Sequence, residues 1–254
     1  MHTDYVYVNV YDDQEEVAET FKKYGYMAIP VVDNENRLVG IVTVDDIMDV
    51  MEEEATEDIE RMAGVMSDDQ DSDYLDISVF RHVKNRLPWL LFMTVMLMIT
   101  GSLISQFEKV LSQVIVLVAY LPLLMGTGGN TGTQAATLII RGLSVDEVDL
   151  KDAGKVLWKE FRVSFILGLT LSVFNFANIV IIDGLSVEIG MTVAISMILV
   201  VVFAKLLGGM LPMLAKKVGV DPALMATPMI SSITDMVSSC IYLATASILL
   251  EIAL

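Results

Sequence analysis

The chain has 254 residues, 54% of them apolar, and a formal charge of −17. Long apolar stretches at that composition exclude a purely soluble protein, and no HExxH or phosphate-loop spacing points to an enzyme. The acid is confined to the start: residues 1–80 hold 22 Asp/Glu against 4 Lys/Arg, whereas residues 81–254 hold 11 against 12.

Val6–Val10 reads as a short strand. A helix follows to about Lys23, capped by Asp12 or Asp13, with Glu15 and Glu16 in its first turn. Tyr26–Val32 and Leu38–Thr43 read as strands around the turn Asp33-Asn34-Glu35-Asn36. A helix then runs from about Val44 to about Met66, with Ile47, Val50, Met51, Ile59 and Met62 on one face. Asp46, Asp49, Glu53, Glu54, Glu57 and Asp58 crowd the remainder. Like charges such as Asp49/Glu53 and Glu53/Glu57 oppose such a helix by about 0.2–0.5 kcal/mol per pair. A solvated acidic face is the plain account; bound Mg²⁺ or Ca²⁺, which take oxygen ligands, would relieve the repulsion. Ser67–Asp76 reads as a polar linker without EF-hand spacing. These features divide the chain into residues 1–51 (small α/β domain), 52–80 (acidic connecting helix and linker) and 81–254 (membrane part).

Five apolar spans follow, at about Leu87–Phe107, Val110–Ile140, Val163–Ile182, Met191–Leu214 and Ala223–Leu250. Basic residues precede the first span (Arg81, Lys84, Arg86), link the second to the third (Arg141, Lys151, Lys155, Lys159, Arg162) and link the fourth to the fifth (Lys216, Lys217). All three segments fall on one side, so the positive-inside rule places the N-terminus inside and the C-terminus outside. The fold class is therefore mainly α, an integral membrane protein of five transmembrane helices with a small cytoplasmic α/β domain. The lone cysteine, Cys240, can form no internal disulfide.

Two features stand out at membrane depth. The second span is too long for a straight crossing, roughly 46 Å as a helix, and contains Gly126-Thr127-Gly128-Gly129-Asn130-Thr131-Gly132. Close helix packing uses small residues. So dense a run instead favours a broken segment whose carbonyls face a water-filled path. The fifth span carries a carboxylate, Asp235, which costs about 2.5–3.5 kcal/mol near a bilayer centre unless it meets water, a cation or a partner. Gly129 and Asp235 each lie about 12 residues, or ~18 Å of helix, from the same end of their spans. Together they would make an oxygen-rich site for a hard cation. The competing account is Lys205 of the fourth span, which would neutralise Asp235 in a structural pair.

The stretch GYMAIPVVDNENRLVGIVTVDDIMDV resembles a CBS repeat, a module that often binds adenosine nucleotides; Thr43 and Asp46 fit its ribose contact. With GTGGNTGTQAATLIIRGL (126–143) and DPAL…TPMISSITD (221–235), the whole chain resembles the MgtE family of magnesium channels and transporters. The family's N-terminal helical domain and first CBS repeat are absent from this sequence. The resemblance implies a homodimer in the cell membrane, with largely hydrated Mg²⁺ passing between protomers. It implies Asp235 as the pore carboxylate and Gly126, Gly129 and Ser231 as positions whose backbone faces the ion. Thr133, Thr137, Leu224 and Thr227 match the cytoplasmic gate, with Thr133 and Thr227 where Asn is expected. Asp46, Asp49, Glu54, Glu57 and Asp58 match a regulatory Mg²⁺ cluster. Expected partners are Mg²⁺, lipid and a second copy of the chain, with ATP as a further candidate and no nucleic acid. The alternatives are a Na⁺- or H⁺-coupled divalent-cation carrier, and a membrane-anchored metal or nucleotide sensor.

Overall fold

A computed structural model describes residues 5–66, 74–145, 147–225 and 227–252. The chain divides into two units. One lies within the residues up to Glu60; the other comprises Arg61–Met66 and the chain from Ile77 onward.

The first unit follows the order β1 (Val8–Asn9), α1 (Gln14–Tyr24), β2 (Ala28–Val32), β3 (Leu38–Thr43) and α2 (Val44–Met62). Asp13 caps α1 by accepting from the Glu15 N–H, and Gly25, at φ 64°, ends it in the left-handed conformation. The β2–β3 turn closes on Asp33, whose Oδ1 accepts from the N–H groups of Glu35 and Arg37 at 2.8 and 2.9 Å. The sheet has the order β1-β2-β3, with β1 parallel and β3 antiparallel to β2. Val8, Val17, Phe21, Ile29 and Ile47 form its core. Helix α2 stops at Met62, short of the predicted Met66, because Gly64 takes φ 74° and breaks the repeat.

The second unit is a helical bundle: α3 (Val79–Ser105), α4 (Glu108–Gln113), α5 (Leu117–Ser144), α6 (Ala153–Ala177), α7 (Val187–Lys217) and α8 (Thr227–Leu249). A short 3₁₀ turn, Leu150–Asp152, leads into α6, and a π-helical turn, Asn178–Ile182, extends it. Helix α7 packs on α5, α6 and α8, whereas α3 lies chiefly against α8. The core gathers Leu117, Leu121, Leu124, Val193, Met197, Val200, Tyr242 and Leu243. The Tyr242 hydroxyl donates to the Leu117 carbonyl at 3.1 Å.

Two expectations are corrected here. The long second span is two helices, α4 and α5, parted at Val114–Val116. Helix α5 itself runs unbroken through Gly126–Gly132, so the predicted glycine break is absent and those carbonyls stay within the helix. Four helices among the described residues are long and apolar enough to cross a membrane: Val79–Ser105, Leu150–Ile182, Val187–Lys217 and Pro228–Leu249. Helix α5 has the length but not the hydropathy, since its middle is glycine, threonine, asparagine and glutamine.

Candidate ion site

The glycines of α5 are explained by what touches them. A methyl group at Gly128 would overlap the Ser238 Oγ of α8. One at Gly132 would stand 2.9 Å from Ile230 Cγ2 of α8 and 3.2 Å from the Ala204 carbonyl oxygen of α7. One at Gly208 of α7 would overlap the Gly132 carbonyl. Absent side chains thus let the α5 and α7 backbones meet around Gly132, with side chains of α8 packed against them. Two threonines satisfy their hydroxyls within the helix: Thr127 Oγ1 donates to the Leu123 carbonyl and Thr131 Oγ1 to the Thr127 carbonyl, each at 2.7 Å.

One turn from Gly132, α5 meets the carboxylate. A methyl group at Gly129 would lie 3.5 Å from Ser231 Oγ and 3.7 Å from Asp235 Oδ1. Gly129, Ser231 and Asp235 therefore share one level of the bundle, as their depths predict. Asp235 is half-buried. Gly126 is exposed, with open space where its side chain would be.

Lys205 does not neutralise Asp235. Its ammonium lies 3.5 Å from Glu160 Oε2 of α6, and the two side chains are only 5% and 10% exposed. Glu160 escaped the sequence reading because it preceded the predicted third span, whereas α6 begins at Ala153 and carries it inward. The signal was present: Val156, Glu160, Ser164, Gly168 and Ser172, all buried, recur at every fourth position, the spacing of a helix's packing face.

Gly126, Asn130, Gln134 and Thr137 lie exposed at spacings of three and four on α5, one polar stripe on one helix side. Asn130 and Gln134 were missed as site candidates, although that spacing marks them in the sequence. Of the expected gate residues, Thr133 has a buried hydroxyl without a hydrogen-bond partner, Thr137 is exposed and Leu224 sits half-buried in the 3₁₀ turn Pro222–Met225. Thr227 opens α8, and its side chain lies outside the described residues. Asp221 precedes that turn; its Oδ1 accepts from the Ala223 N–H at 2.8 Å and its Oδ2 pairs with Arg61 at 2.6 Å.

In the first unit, Asp46 Oδ2 accepts from the Thr43 hydroxyl and N–H at 2.6 and 3.3 Å, so the two expected nucleotide contacts bind one another. The hydroxyl bond, with the N–H bond behind it, holds the Asp46 carboxyl below its ordinary value. Asp49 is exposed; Glu54, Glu57 and Asp58 are half-buried. Gln14 Nε2 donates to Glu54 Oε1 at 2.7 Å. Glu15 of α1, read earlier only as a first-turn residue, belongs with this set. Desolvation, and then the carboxylates of Glu54 and Asp58, push its carboxyl above the ordinary value. Among the described residues no three His, Cys, Asp or Glu side chains converge as metal ligands.

A soluble α/β domain joined to a bundle of long apolar helices, with a carboxylate held inside the bundle, defines a multi-pass membrane protein. Residues 121–245 match the family model MgtE, described as a divalent cation transporter, and residues 1–53 match the CBS domain model. The chain belongs to the MgtE family. It is 45% identical over 251 residues to the magnesium transporter MgtE of Thermus thermophilus, covering 99% of this chain and 55% of that protein. It is 38% identical to that of Bacillus subtilis over 247 residues (97% and 54%), and 34% identical to that of Enterococcus faecalis over 247 residues (96% and 52%). The chain spans about half the length of the curated relatives it matches.

Proposed function

We propose that this chain forms the conducting part of a magnesium channel, in which hydrated Mg²⁺ passes between two copies of the chain. The observation that carries the reading is the juxtaposition of Asp235, Ser231 and Gly129, with Lys205, the counter-charge the sequence offered, engaged by Glu160. An unneutralised carboxylate at membrane depth attracts a divalent ion with twice the Coulomb energy of a monovalent one at equal distance. Mg²⁺ sheds water reluctantly, and glycine at 126 leaves open space for its hydration shell where a side chain would fill it.

The polar stripe of α5 supports the pairing of two copies. Gly126, Asn130, Gln134 and Thr137 are a poor surface for lipid and a good one for water or for a second copy. In this reading α5 also crosses the membrane and brings the spans to five, its modest hydropathy tolerated because its polar side meets the path. The connections rich in Lys and Arg face the cytoplasm, as does the CBS domain. Thr133, Thr137, Leu224 and Thr227 close the path at that end. Cytoplasmic Mg²⁺ bound among Asp46, Asp49, Glu54, Glu57 and Asp58, with Glu15 beside them, relieves their repulsion. It thereby favours the closed arrangement by its differential affinity for that state.

The test is Mg²⁺ uptake into vesicles containing the purified chain, compared with Asp235→Asn. The substitution keeps the shape and removes the charge. Uptake falls to the level of empty vesicles while the protein stays monodisperse. Uptake retained by Asp235→Asn refutes the ion site.

A further inference from the structure

Lys205 and Asp235 start from one level of the bundle. The carbonyl oxygen of Ala204, the residue before Lys205, lies 3.2 Å from where a methyl at Gly132 would stand. Cγ2 of Thr234, the residue before Asp235, lies 3.2 Å from the same point. From that level the two side chains part. Asp235 lies beside Gly129 of α5, and Lys205 reaches Glu160 of α6, Nζ to Oε2 at 3.5 Å. Gly209, one turn after Lys205, lies on the same side of α7, against α6. A methyl there would come 3.5 Å from Glu160 Cγ and 3.7 Å from Val156 Cγ1. Glu160 Oε2 is buried and accepts no hydrogen bond, so the ammonium is what compensates it. The other buried side chains of α6 bring no second charge to the pair.

We propose that Glu160 is a positioning residue for cation passage: its carboxylate holds the Lys205 ammonium on the α6 side of α7, away from Asp235. The proposal rests on the reading of Asp235 as the ion site. A buried charge deprived of its partner is strongly unfavourable until it finds another. Lysine has a flexible four-carbon stem, and the next carboxylate on its own level is Asp235. Without Glu160 the ammonium turns to Asp235, neutralises it and repels arriving cations, divalent ones twice as strongly as monovalent ones. Lys205 is then not required for conduction; it is required only to be held.

The experiment measures Mg²⁺ and K⁺ flux into vesicles containing the full chain, for the parent, Glu160→Gln, and Glu160→Gln with Lys205→Met. Glu160→Gln is expected to lower Mg²⁺ flux about tenfold or more and K⁺ flux less, so that the Mg²⁺/K⁺ ratio falls. The double variant, with no charge to misplace, recovers Mg²⁺ flux to within about threefold of the parent. A loss confined to structure lowers both ions alike and leaves the ratio in place, and that overturns the proposal. So does a folded double variant that does not conduct, a double variant that does not fold, or parent-like Mg²⁺ flux in Glu160→Gln. Where Glu160→Gln itself fails to fold, Glu160→Asp replaces it: the shorter stem draws the carboxylate back from the ammonium, a smaller fall in ratio is expected, and an unchanged ratio overturns the proposal. A parent chain that moves no Mg²⁺ fails on the functional reading and takes this proposal with it. A conducting parent silenced by Asp235→Asn, with an unchanged ratio in Glu160→Gln, sinks this proposal alone.

Discussion

The meeting of α5 and α7 can be tested at a single methyl group. At Gly208 an added Cβ would overlap the carbonyl oxygen of Gly132, stand 2.9 Å from its carbon and lie 3.2 Å from Ala135 Cβ. The obstacle is backbone, so no side-chain rotation relieves it and the two helices must separate. Overpacking of a core typically costs about 1–3 kcal/mol, and an obstacle that cannot move belongs at the upper end. Helix propensity works the other way, since alanine is favoured over glycine by about 1 kcal/mol. Gly101 of α3 serves as control, because nothing lies within 4 Å of its added Cβ. Gly208→Ala should therefore lower the unfolding temperature of the detergent-solubilised chain by roughly 4–8 °C, a net cost of about 2 kcal/mol at about 2–4 °C per kcal/mol. Gly101→Ala should leave it unchanged or raise it. Because Gly132 also meets Ile230 and Thr234 of α8, the displacement should reach the Asp235 level and depress Mg²⁺ uptake as well. A Gly208→Ala protein as stable as the parent would refute the close approach and the account of why these glycines are there.

Three further outcomes follow from described contacts. Glu15 binds its proton more tightly in the folded chain than at its ordinary value of 4.5. Its ionisation penalty is thus present above the folded value and relieved as pH falls through that value towards 4.5. Glu15→Gln should then slow hydrogen exchange in α1 and α2 at neutral pH, with the difference fading on acidification. Gly64→Ala meets both a positive φ of 74° and the Trp89 ring, which an added methyl would overlap. It should cost more than the ~1 kcal/mol of a strained turn alone, read from thermal unfolding. Tyr242→Phe removes the hydroxyl bonded to the Leu117 carbonyl and should lower stability in detergent by only about 0.6 kcal/mol, the average for hydrogen bonds inside a membrane bundle.

Local rules made much of this chain legible. Strand β3 falls on its predicted residues because a run of leucine, valine and isoleucine follows the turn at 33–36. Helix α1 starts where an aspartate can cap it. The shared level of Gly129 and Asp235 came from counting residues in helices whose ends were marked by charge. What stayed hidden depends on neighbours. The run Gly126–Gly132 reads as a break by propensity, yet it is helical because α7 and α8 press against it and reward small residues. Lys205 has two acids to choose from, and only the rotation of α7 decides between Glu160 and Asp235. Glu15 gave no sign of its surroundings because its neighbours, Glu54 and Asp58, lie some forty residues on.

Helix α5 also has a consequence for how the protein is made. A segment too polar to partition into lipid by itself is a poor client for one-at-a-time insertion. Its packing partners, α7 and α8, are synthesised after it. In a nascent chain that ends after α6, α5 has neither of the surfaces its glycines fit. Its place in the bilayer is therefore settled late, when the last two helices arrive. Ribosome-tethered chains of increasing length, carrying Thr131→Cys and Cys240→Ala, should show α5 protected from aqueous thiol reagents only after α7 has emerged.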